Sequence, residues 1–296
     1  MIRKIHAVLP HILFLLLVAM ILQPSVEGTK SYTAFLVIVI GVEIAVLLNR
    51  KKKVALDIGI IVYLGFLVWE YITAKVGIKD AMLYPAPENV FNILVTDYPK
   101  ILEGVGSSLR LMGIAFALAL IFGVGLGLIV GLSDRLSGTL MPIVRVISPI
   151  PPIIYSPYAV ALLPSFRAAS IFVITMTIFW SIFMNMVLGV RQIDRKLMDS
   201  ARTLNLSKAS LILHVLLPYS LPGIINSVSV SVSTSFLVLT AAEMIGATSG
   251  LGWYVKYNAD FANFTKVIAG IFVIGVVVTV LNALISLVKK LLIKWR

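Results

Sequence analysis

The feature that most constrains this chain is a series of apolar runs of about 20 residues. A helix of that length rises about 30 Å, which is the thickness of the hydrocarbon core of a bilayer. Hydrophobic residues make up 59% of the 296 residues and charged residues only 13%, whereas soluble domains have about 25% charged residues. The sequence therefore predicts an all-α integral membrane protein and excludes a soluble enzyme.

Eight segments have the length and hydropathy of transmembrane helices. The first follows two basic residues, as a signal peptide would, but no small-residue cleavage pattern comes after it, so we interpret it as a membrane anchor. We expect the first two spans to be accessory helices (residues 1–54) in front of a core at 55–296. The eight spans are predicted at about residues 8–24, 32–48, 55–77, 106–131, 139–162, 169–190, 222–245 and 267–288.

The positive charges are distributed unevenly among the loops. Sixteen of the 25 Lys and Arg residues fall on one set of alternating loops, and six of the 13 Asp and Glu residues fall on the opposite set. By the positive-inside rule the basic loops lie in the cytoplasm, so both termini are expected there, as an even number of spans requires. The net charge of +12 is thus explained by the topology, since the basic loops face anionic lipid headgroups. We expect no nucleic-acid partner.

Two of the predicted spans carry residues that shape helix packing. Gly123, Gly127 and Gly131 recur every four residues, which lines them along one helix face and lets another backbone approach closely. In the fifth span, prolines break the hydrogen-bond ladder of a helix. Broken helices often line transport pathways, and a kinked helix with only a structural role is the alternative. The prolines assigned to the pathway are Pro149, Pro151 and Pro152.

The seventh span contains an alternating run of serines from Ser227 to Ser235. Such alternation is typical of a strand, but a lone strand in lipid leaves its backbone groups unpaired. On a helix, Ser229 and Ser233 fall nearly opposite the remaining serines of the run. A helix that is polar on both faces fits two neighbouring helices, or one neighbour and a wet cavity. We assign Ser229 and Ser233 to the pathway side.

The largest cytoplasmic loop, at about residues 191–219, predicts a compact helix–turn–helix. Residues 195–204 form a charged, helix-compatible stretch, and Asn205 favours a break because asparagine tolerates left-handed geometry. Ser207 is placed to cap a second helix, which we expect to stop at Pro218. The form is that of a docking element, and a loop resting on lipid headgroups is the alternative.

This loop resembles the EAA coupling loop of ABC importer permeases, which reads Glu-Ala-Ala, three residues, Gly, and an apolar stretch ending in Leu-Pro. The corresponding residues are Asp199-Ser200-Ala201, Asn205 and Leu217-Pro218. The chain departs from the pattern at Asp199, at Asn205 and at Leu163–Arg167, where a Gly-containing turn is common. Ordered motifs similar to the nitrate/sulfonate/taurine permease family lie at 85–87, 148–152, 189–191, 199–204, 221–224, 241–246 and 249–253.

The resemblance implies a type I importer core of six helices that carries a small polar or anionic solute such as a sulfonate, taurine, nitrate or bicarbonate. A second, identical permease subunit would complete the pathway, and an extracytoplasmic binding protein would deliver the solute. Two copies of a separate ATPase would carry ATP and Mg²⁺. By resemblance, the ATPase contacts are Asp199, Ser200, Ala201, Arg202, Leu204, Asn205 and Pro218.

This chain itself is expected to bind no cofactor or metal and to catalyse no reaction. It has no GxxxxGK[ST] motif for nucleotide binding, and it lacks the HExxH and GxSxG motifs of metalloproteases and serine hydrolases. Glu243, near the end of the seventh span, is costly unless paired or wetted. It fits either a gate or salt bridge at the outer mouth, or a solvated interfacial acid. The alternative function is an ion-coupled secondary transporter, which needs repeated halves with matched charges; Glu43, Glu70 and Glu243 show no such symmetry.

Overall fold

The computed structural model describes residues 2–26, 28, 31–77, 80 and 82–292, the side chains of residues 2–7, 202 and 292 excepted. All regular secondary structure in these residues is helical, which confirms the predicted all-α class. The α-helices are α1 (Ile2–Ile21), α2 (Thr33–Leu48), α3 (Lys53–Glu70), α4 (Pro87–Thr96), α5 (Tyr98–Gly131), α6 (Asp134–Ile147), α7 (Ser156–Leu162), α8 (Phe166–Arg191), α9 (Arg195–Thr203), α10 (Lys208–Leu211), α11 (Leu217–Gly246), α12 (Leu251–Asp260) and α13 (Phe264–Leu292).

Five helical segments of the described chain are long and apolar enough to cross a membrane. They correspond to the predicted third, fourth, sixth, seventh and eighth spans, so a multi-pass membrane protein is confirmed. The apolar part of α1 (Val8–Ile21) and α2 are shorter; the 16 residues of α2 rise about 24 Å. The count of eight crossings therefore stays a prediction. The five long segments are Lys53–Val76, Tyr98–Gly131, Phe166–Arg191, Lys208–Gly246 and Phe264–Leu291.

The predicted fifth span is a bent pair of helices. Helix α6 ends at Ile147, and the chain turns by 79° into the segment Pro152–Leu162, which begins with a single 3₁₀ turn. The prolines between the two parts cannot donate backbone hydrogen bonds, and their rings clash with the preceding turn. The predicted break at the proline cluster is therefore confirmed.

The prediction that the loop helix stops at Pro218 is wrong. A single helix continues from Lys208 to Gly246, so the seventh span does not begin afresh near residue 222. A π-helical turn at Ile212–Leu216 precedes the proline. One π-turn widens the helix locally, so the helix can accommodate a proline that lacks an N–H donor and whose ring would otherwise clash with the preceding turn. The helix after the Asn205 turn is thus the first part of the 39-residue segment Lys208–Gly246, the longest of the five.

The chain forms two compact units. The first comprises the residues up to Leu102 together with Tyr254–Val273. Aromatic rings pack together in this unit: Phe91 stacks on Phe35 with centroids 5.3 Å apart and contacts Phe272 at 5.2 Å. The Trp69 ring lies parallel to Phe272 at 5.8 Å. Aromatic pairs at these distances add to the stabilisation from buried area.

A polar triad joins the first three helices of this unit. The Glu43 carboxylate lies 2.5 Å from the His11 ring nitrogen Nδ1 and accepts a 2.8 Å hydrogen bond from the Tyr63 hydroxyl. Glu43 is the one intramembrane acid that the sequence shows within residues 1–54. Because both of its oxygens have partners, the triad stabilises the packing of α1 and α2 against α3.

The second unit comprises Glu103–Trp253 and the residues from Ile274 onward. At its centre α8 packs along α11. The buried face of α8 repeats every three or four residues, as a helix in a bundle requires. The residues of this face include Val173, Ile174, Ile178, Ile182, Met186 and Val190.

Candidate functional site

The glycine stripe of α5 lies directly against α8. A β-carbon at Gly127 would lie 2.7 Å from the Met186 Cβ and 2.9 Å from the Phe183 carbonyl oxygen. Equivalent close approaches occur between Gly123 and Ile182 and between Gly131 and Val190, at 2.9 and 2.8 Å. The structure thus brings all three predicted packing residues together on one interface, where only glycine allows the observed separation of the helices.

The serines of α11 divide between two faces. Ser227, Ser231 and Ser235 are buried. On the other side, the exposed Ser233 hydroxyl accepts a 2.9 Å hydrogen bond from Asn282 on α13. Ser229 is half-buried and donates to the carbonyl of Ile225 within its own helix. The arrangement agrees with the two-neighbour interpretation of this helix.

The three pathway prolines lie at the bend between α6 and α7. Pro152 is buried, while Pro149 and Pro151 are exposed. The hydroxyl of Ser156 closes the turn by donating to the carbonyl of Ile153 at 2.8 Å. The bend leaves backbone groups outside regular helix, which in a membrane requires protein or water partners. A pathway role for these prolines stays a prediction.

Helix α9 is the short helix that the sequence predicts for the cytoplasmic loop. Asn205 has a φ of +51°, as its sequence position predicts, and the N–H of Leu206 bonds to the carbonyl of Ala201 at 3.3 Å. This is the Schellman pattern of a left-handed helix end. Ser207 then caps the next helix by accepting from the N–H of Ser210 at 3.2 Å. The predicted helix–turn–helix is confirmed.

The two faces of α9 differ in exposure. Ala201 is 5% exposed and packs inward, whereas Leu204 is 72% exposed. Asp199 and Ser200 are also exposed, and the side chain of Arg202 lies outside the described part of the structure. The exposed side of α9 is therefore the side that a second protein could contact. Pro218 is half-buried inside the continuous helix, and its assignment to the ATPase contact stays a prediction.

A polar groove of about 650 Å³ runs beside α9. It is lined by the ends of α5 and α8, the start of α6, and α9 itself. Arg191 bridges two of these elements through an ion pair of 3.0 Å with Asp134. The Tyr219 hydroxyl also donates to the carbonyl of Gln192 at 3.2 Å, which joins the start of α11 to the end of α8. The groove therefore lies where α9 meets the ends of α5 and α8 and the start of α6.

Glu243 is neither solvated nor salt-bridged among the described residues, so both of those expectations are wrong. It is 1% exposed. Its Oε1 accepts a 2.6 Å hydrogen bond from the Ser108 hydroxyl, and its Oε2 accepts one of 2.7 Å from the N–H of Gly252. The Ser108 oxygen in turn accepts from the N–H of Leu251 at 3.0 Å. The site is closed and fully hydrogen-bonded, and a gating role stays a prediction.

Two glycines make room for this carboxylate. A β-carbon at Gly250 would lie within 2.6 Å of both Glu243 oxygens, and the Gly250 φ is +120°. At Gly252 a β-carbon would meet the Thr240 carbonyl oxygen. The Ser-Gly-Leu-Gly motif at 249–252 is thus explained by the close approach of the backbone to Glu243.

A second cleft, of about 610 Å³, lies beside the Ser107–Ser249 hydrogen bond of 2.8 Å. Its walls include Arg110 on α5 and Arg167 in the first turn of α8. Sequence reasoning missed both arginines and Ser108. The available signal was Arg110 itself, the one charged residue of the predicted span 106–131, since charged residues inside membrane spans often mark functional sites.

These features define an all-helical, multi-pass membrane protein with a helix–turn–helix between two long apolar helices and with polar clefts. A family model described as "Binding-protein-dependent transport system inner membrane component" matches residues 123–296. The chain therefore belongs to this family of ABC importer permeases.

The most similar relatives include permeases for nitrogen and sulfur compounds. The chain is 30% identical over 260 residues to the nitrate import permease NrtB of Synechococcus elongatus, covering 82% of this chain and 91% of the relative. It is 28% identical over 252 residues to the taurine permease TauC of Escherichia coli, covering 83% and 91%. The identity to NrtB of Leptolyngbya laminosa is 32% over 184 residues, or 62% and 66% of the two chains.

The fold is also found among solved structures. The chain superimposes on a chain of the inward-facing MetNI methionine ABC transporter with a TM-score of 0.56 at 18% identity. The match covers 67% of this chain and 98% of the other. At this identity the likeness shows the shared helical architecture. The membership in the nitrate/sulfonate/taurine group expected from the motifs is confirmed by the sequence relatives.

Proposed function

We propose that this chain is the membrane-spanning subunit of an ATP-driven importer that takes up a small oxyanion. The relatives are named for nitrate, taurine, aliphatic sulfonates and bicarbonate. A planar or tetrahedral group of oxygens is common to all four solutes. No covalent chemistry is required of this chain, because alternating access moves the solute between the two sides.

The proposed topology has eight crossings with both termini in the cytoplasm. The accessory pair, residues 1–54, precedes the core at 55–296, and the His11–Glu43–Tyr63 triad holds the pair against α3. The positive-inside rule supports this orientation, since it places α9 and its basic flanks in the cytoplasm. Under this topology the Arg110–Arg167 cleft opens on the opposite, extracytoplasmic side.

The observation that carries the proposal is the asymmetry of α9. Its inward residue Ala201 packs within the chain, while Leu204 projects from the end of the helix with 72% exposure. The helix is held by a Schellman turn and leads into the 39-residue segment Lys208–Gly246. A force applied to α9 is therefore passed to a membrane helix as rigid-body motion.

The proposed partners follow from this surface and from the family. Two copies of a separate ATPase, which carry ATP and Mg²⁺, dock on α9 through Asp199, Ser200, Arg202, Leu204 and Asn205. A second copy of this chain completes the pathway, so each ATPase meets one α9. An extracytoplasmic binding protein delivers the solute. This chain itself holds no cofactor.

The test is purification of the tagged full chain in mild detergent from its own cell membrane. We expect an ATPase of ABC type to copurify and the Leu204→Asp variant to lose it, because the substitution buries a charge in the contact. Leu48→Asp is the matched control: Leu48 is 80% exposed at the end of α2, outside α9. The control is expected to retain the ATPase.

Purification of the wild-type chain without an ATPase at any salt concentration would contradict the proposal. Uptake that follows an ion gradient and persists after ATP depletion would instead support the secondary transporter. Equal retention of the ATPase by Leu204→Asp and Leu48→Asp would show that the ATPase docks somewhere other than α9.

A further inference from the structure

Two arginines from different helices line the same cleft. Arg110 lies on α5 and Arg167 in the first turn of α8. Both side chains are exposed, and no carboxylate of the described residues lies within ion-pair distance of either. Guanidinium groups stay charged at every physiological pH. The lining of the cleft therefore carries two positive charges, neither of them ion-paired within the described residues, and one negative charge, that of Glu103.

The surrounding groups also favour an anion. Helix α8 has 26 residues, with no acidic residue in its first turn, so its positive end is not neutralised. The Ser107 and Ser249 hydroxyls at the wall are hydrogen-bonded to each other at 2.8 Å, which leaves one hydroxyl hydrogen of the pair to donate to a ligand. Leu111 and Phe166 add an apolar portion to the lining. Together these groups match a solute with a negatively charged oxygen group and a short apolar part.

Both arginines stand at unusual positions in the sequence. Arg110 is the one charged residue in the part of α5 from Gly106 to Gly131, where a charge is retained only at a cost. Arg167 ends the segment Leu163–Arg167, which is one of the places where the chain departs from the family pattern. Neither residue has a structural ion pair in the described part of the chain that would explain it.

We infer that the cleft is an entrance site that binds a small oxyanion, such as a sulfonate or nitrate, through the guanidinium groups of Arg110 and Arg167. The inference rests on the proposed function for the solute class and on the proposed topology for the side of the membrane. Planar guanidinium groups bind oxyanions in bidentate fashion. The two charges raise the local concentration of anions at the mouth before they enter the pathway.

The absence of cysteine from the chain gives a direct test. Thr248→Cys places one thiol on the exposed wall of the cleft. Full-length protein in right-side-out and inside-out membrane vesicles is treated with two methanethiosulfonate reagents, one bearing a sulfonate and one a trimethylammonium group. The measured quantity is the ratio of their reaction rates. Thr96→Cys, at an exposed threonine outside the cleft lining, is the control variant.

We expect the sulfonate reagent to react faster than the cationic reagent with the Thr248→Cys variant but not with the Thr96→Cys variant, relative to a free thiol. Adding Arg110→Gln or Arg167→Gln to Thr248→Cys should each lower the ratio by about tenfold. Removing one charge about 6 Å away changes each rate by roughly threefold, in opposite directions for the two reagents. Arg110→Lys should preserve the ratio. Methanesulfonate or nitrate should slow the modification of the cleft thiol when both arginines are present.

Equal ratios for the two cysteine variants, or a ratio for Thr248→Cys that neither Gln substitution changes, would overturn the inference. So would an arginine-dependent ratio that anionic lipid, but not methanesulfonate or nitrate, suppresses, since the cleft would then bind headgroups. The assay needs neither ATP nor an ATPase. Failure of the proposed function, seen as a missing ATPase, is therefore distinguishable from failure of the anion site.

Discussion

The Ser108 hydroxyl donates a 2.6 Å hydrogen bond to the Glu243 carboxylate, although the two residues are 135 positions apart in the chain. The bond joins the first third of α5 to the end of α11, and the hydrogen bond from the N–H of Gly252 adds the start of α12. A buried carboxylate is expensive unless hydrogen bonds compensate for the lost hydration. Glu243 therefore specifies how these three helices meet.

Ser108→Ala should destabilise the protein by about 1–3 kcal/mol. The substitution removes the donor to Glu243 and the acceptor for the N–H of Leu251, which leaves buried polar groups unsatisfied. Ser107→Ala is the matched control, since Ser107 is only half-buried and bonds to Ser249. Thermal unfolding in nonionic detergent measures both effects. Equal midpoints for the two variants would contradict the structural role of Ser108.

Gly127→Ala should cost about 1–3 kcal/mol, because the new methyl group overlaps Met186 and the Phe183 carbonyl. Gly125→Ala, in the same helix, meets nothing within 4 Å. Alanine has the higher helix propensity by about 1 kcal/mol, so this control should be neutral or stabilising. Unfolding midpoints and yields from membranes compare the two. A loss of stability at Gly125 as large as at Gly127 would argue against close packing of α5 on α8.

Asn205→Gly should leave the helix–turn–helix intact, whereas Asn205→Val should weaken it. The φ of +51° is open to glycine, but a β-branched side chain resists it by roughly 1–2 kcal/mol. We expect the valine variant to transport less solute per ATP hydrolysed in the reconstituted complex. Protease sensitivity of residues 203–208 reports the local structure separately. Wild-type coupling in both variants would show that the turn does not need its left-handed residue.

From the contacts of the Asp97 carboxylate we expect a specific loss of stability in acid. Burial acts to raise its pKa, but hydrogen bonds from Lys266 and Tyr254, both 2.8 Å long, outweigh this and lower the pKa below its usual value. The folded pKa thus lies below the unfolded value of about 3.9. Its stabilisation is complete above the unfolded pKa and is lost as the pH falls through the folded pKa.

The corresponding variant is Asp97→Asn, which we expect to be less stable than wild type by roughly 2 kcal/mol near neutral pH. The difference between the two proteins should be constant above about pH 5 and shrink at lower pH. Thermal unfolding of both proteins between about pH 3 and pH 7 measures it. A difference that stays constant throughout this range, or that grows in acid, would contradict this assignment.

The sequence by itself determined the features that depend on local or periodic patterns. Apolar runs predict the long helices, glycines four residues apart predict a close helix contact, and the chemistry of Asn205 and Ser207 predicts the turn and cap after α9. The family motifs added the class of transporter. Pro218 shows the limit of such rules, because a preceding π-turn lets the helix continue where local reasoning predicts its end.

Only the tertiary structure decided the contacts between residues far apart in the chain. The partners of Glu243, the His11–Glu43–Tyr63 triad and the convergence of Arg110 with Arg167 in one cleft depend on which helices are neighbours. No periodicity within a single helix encodes that choice. The free energy of a buried charge depends on the groups that surround it in the fold. From the sequence, Glu243 was compatible with a solvated acid, whereas in the structure its hydrogen bonds join three helices.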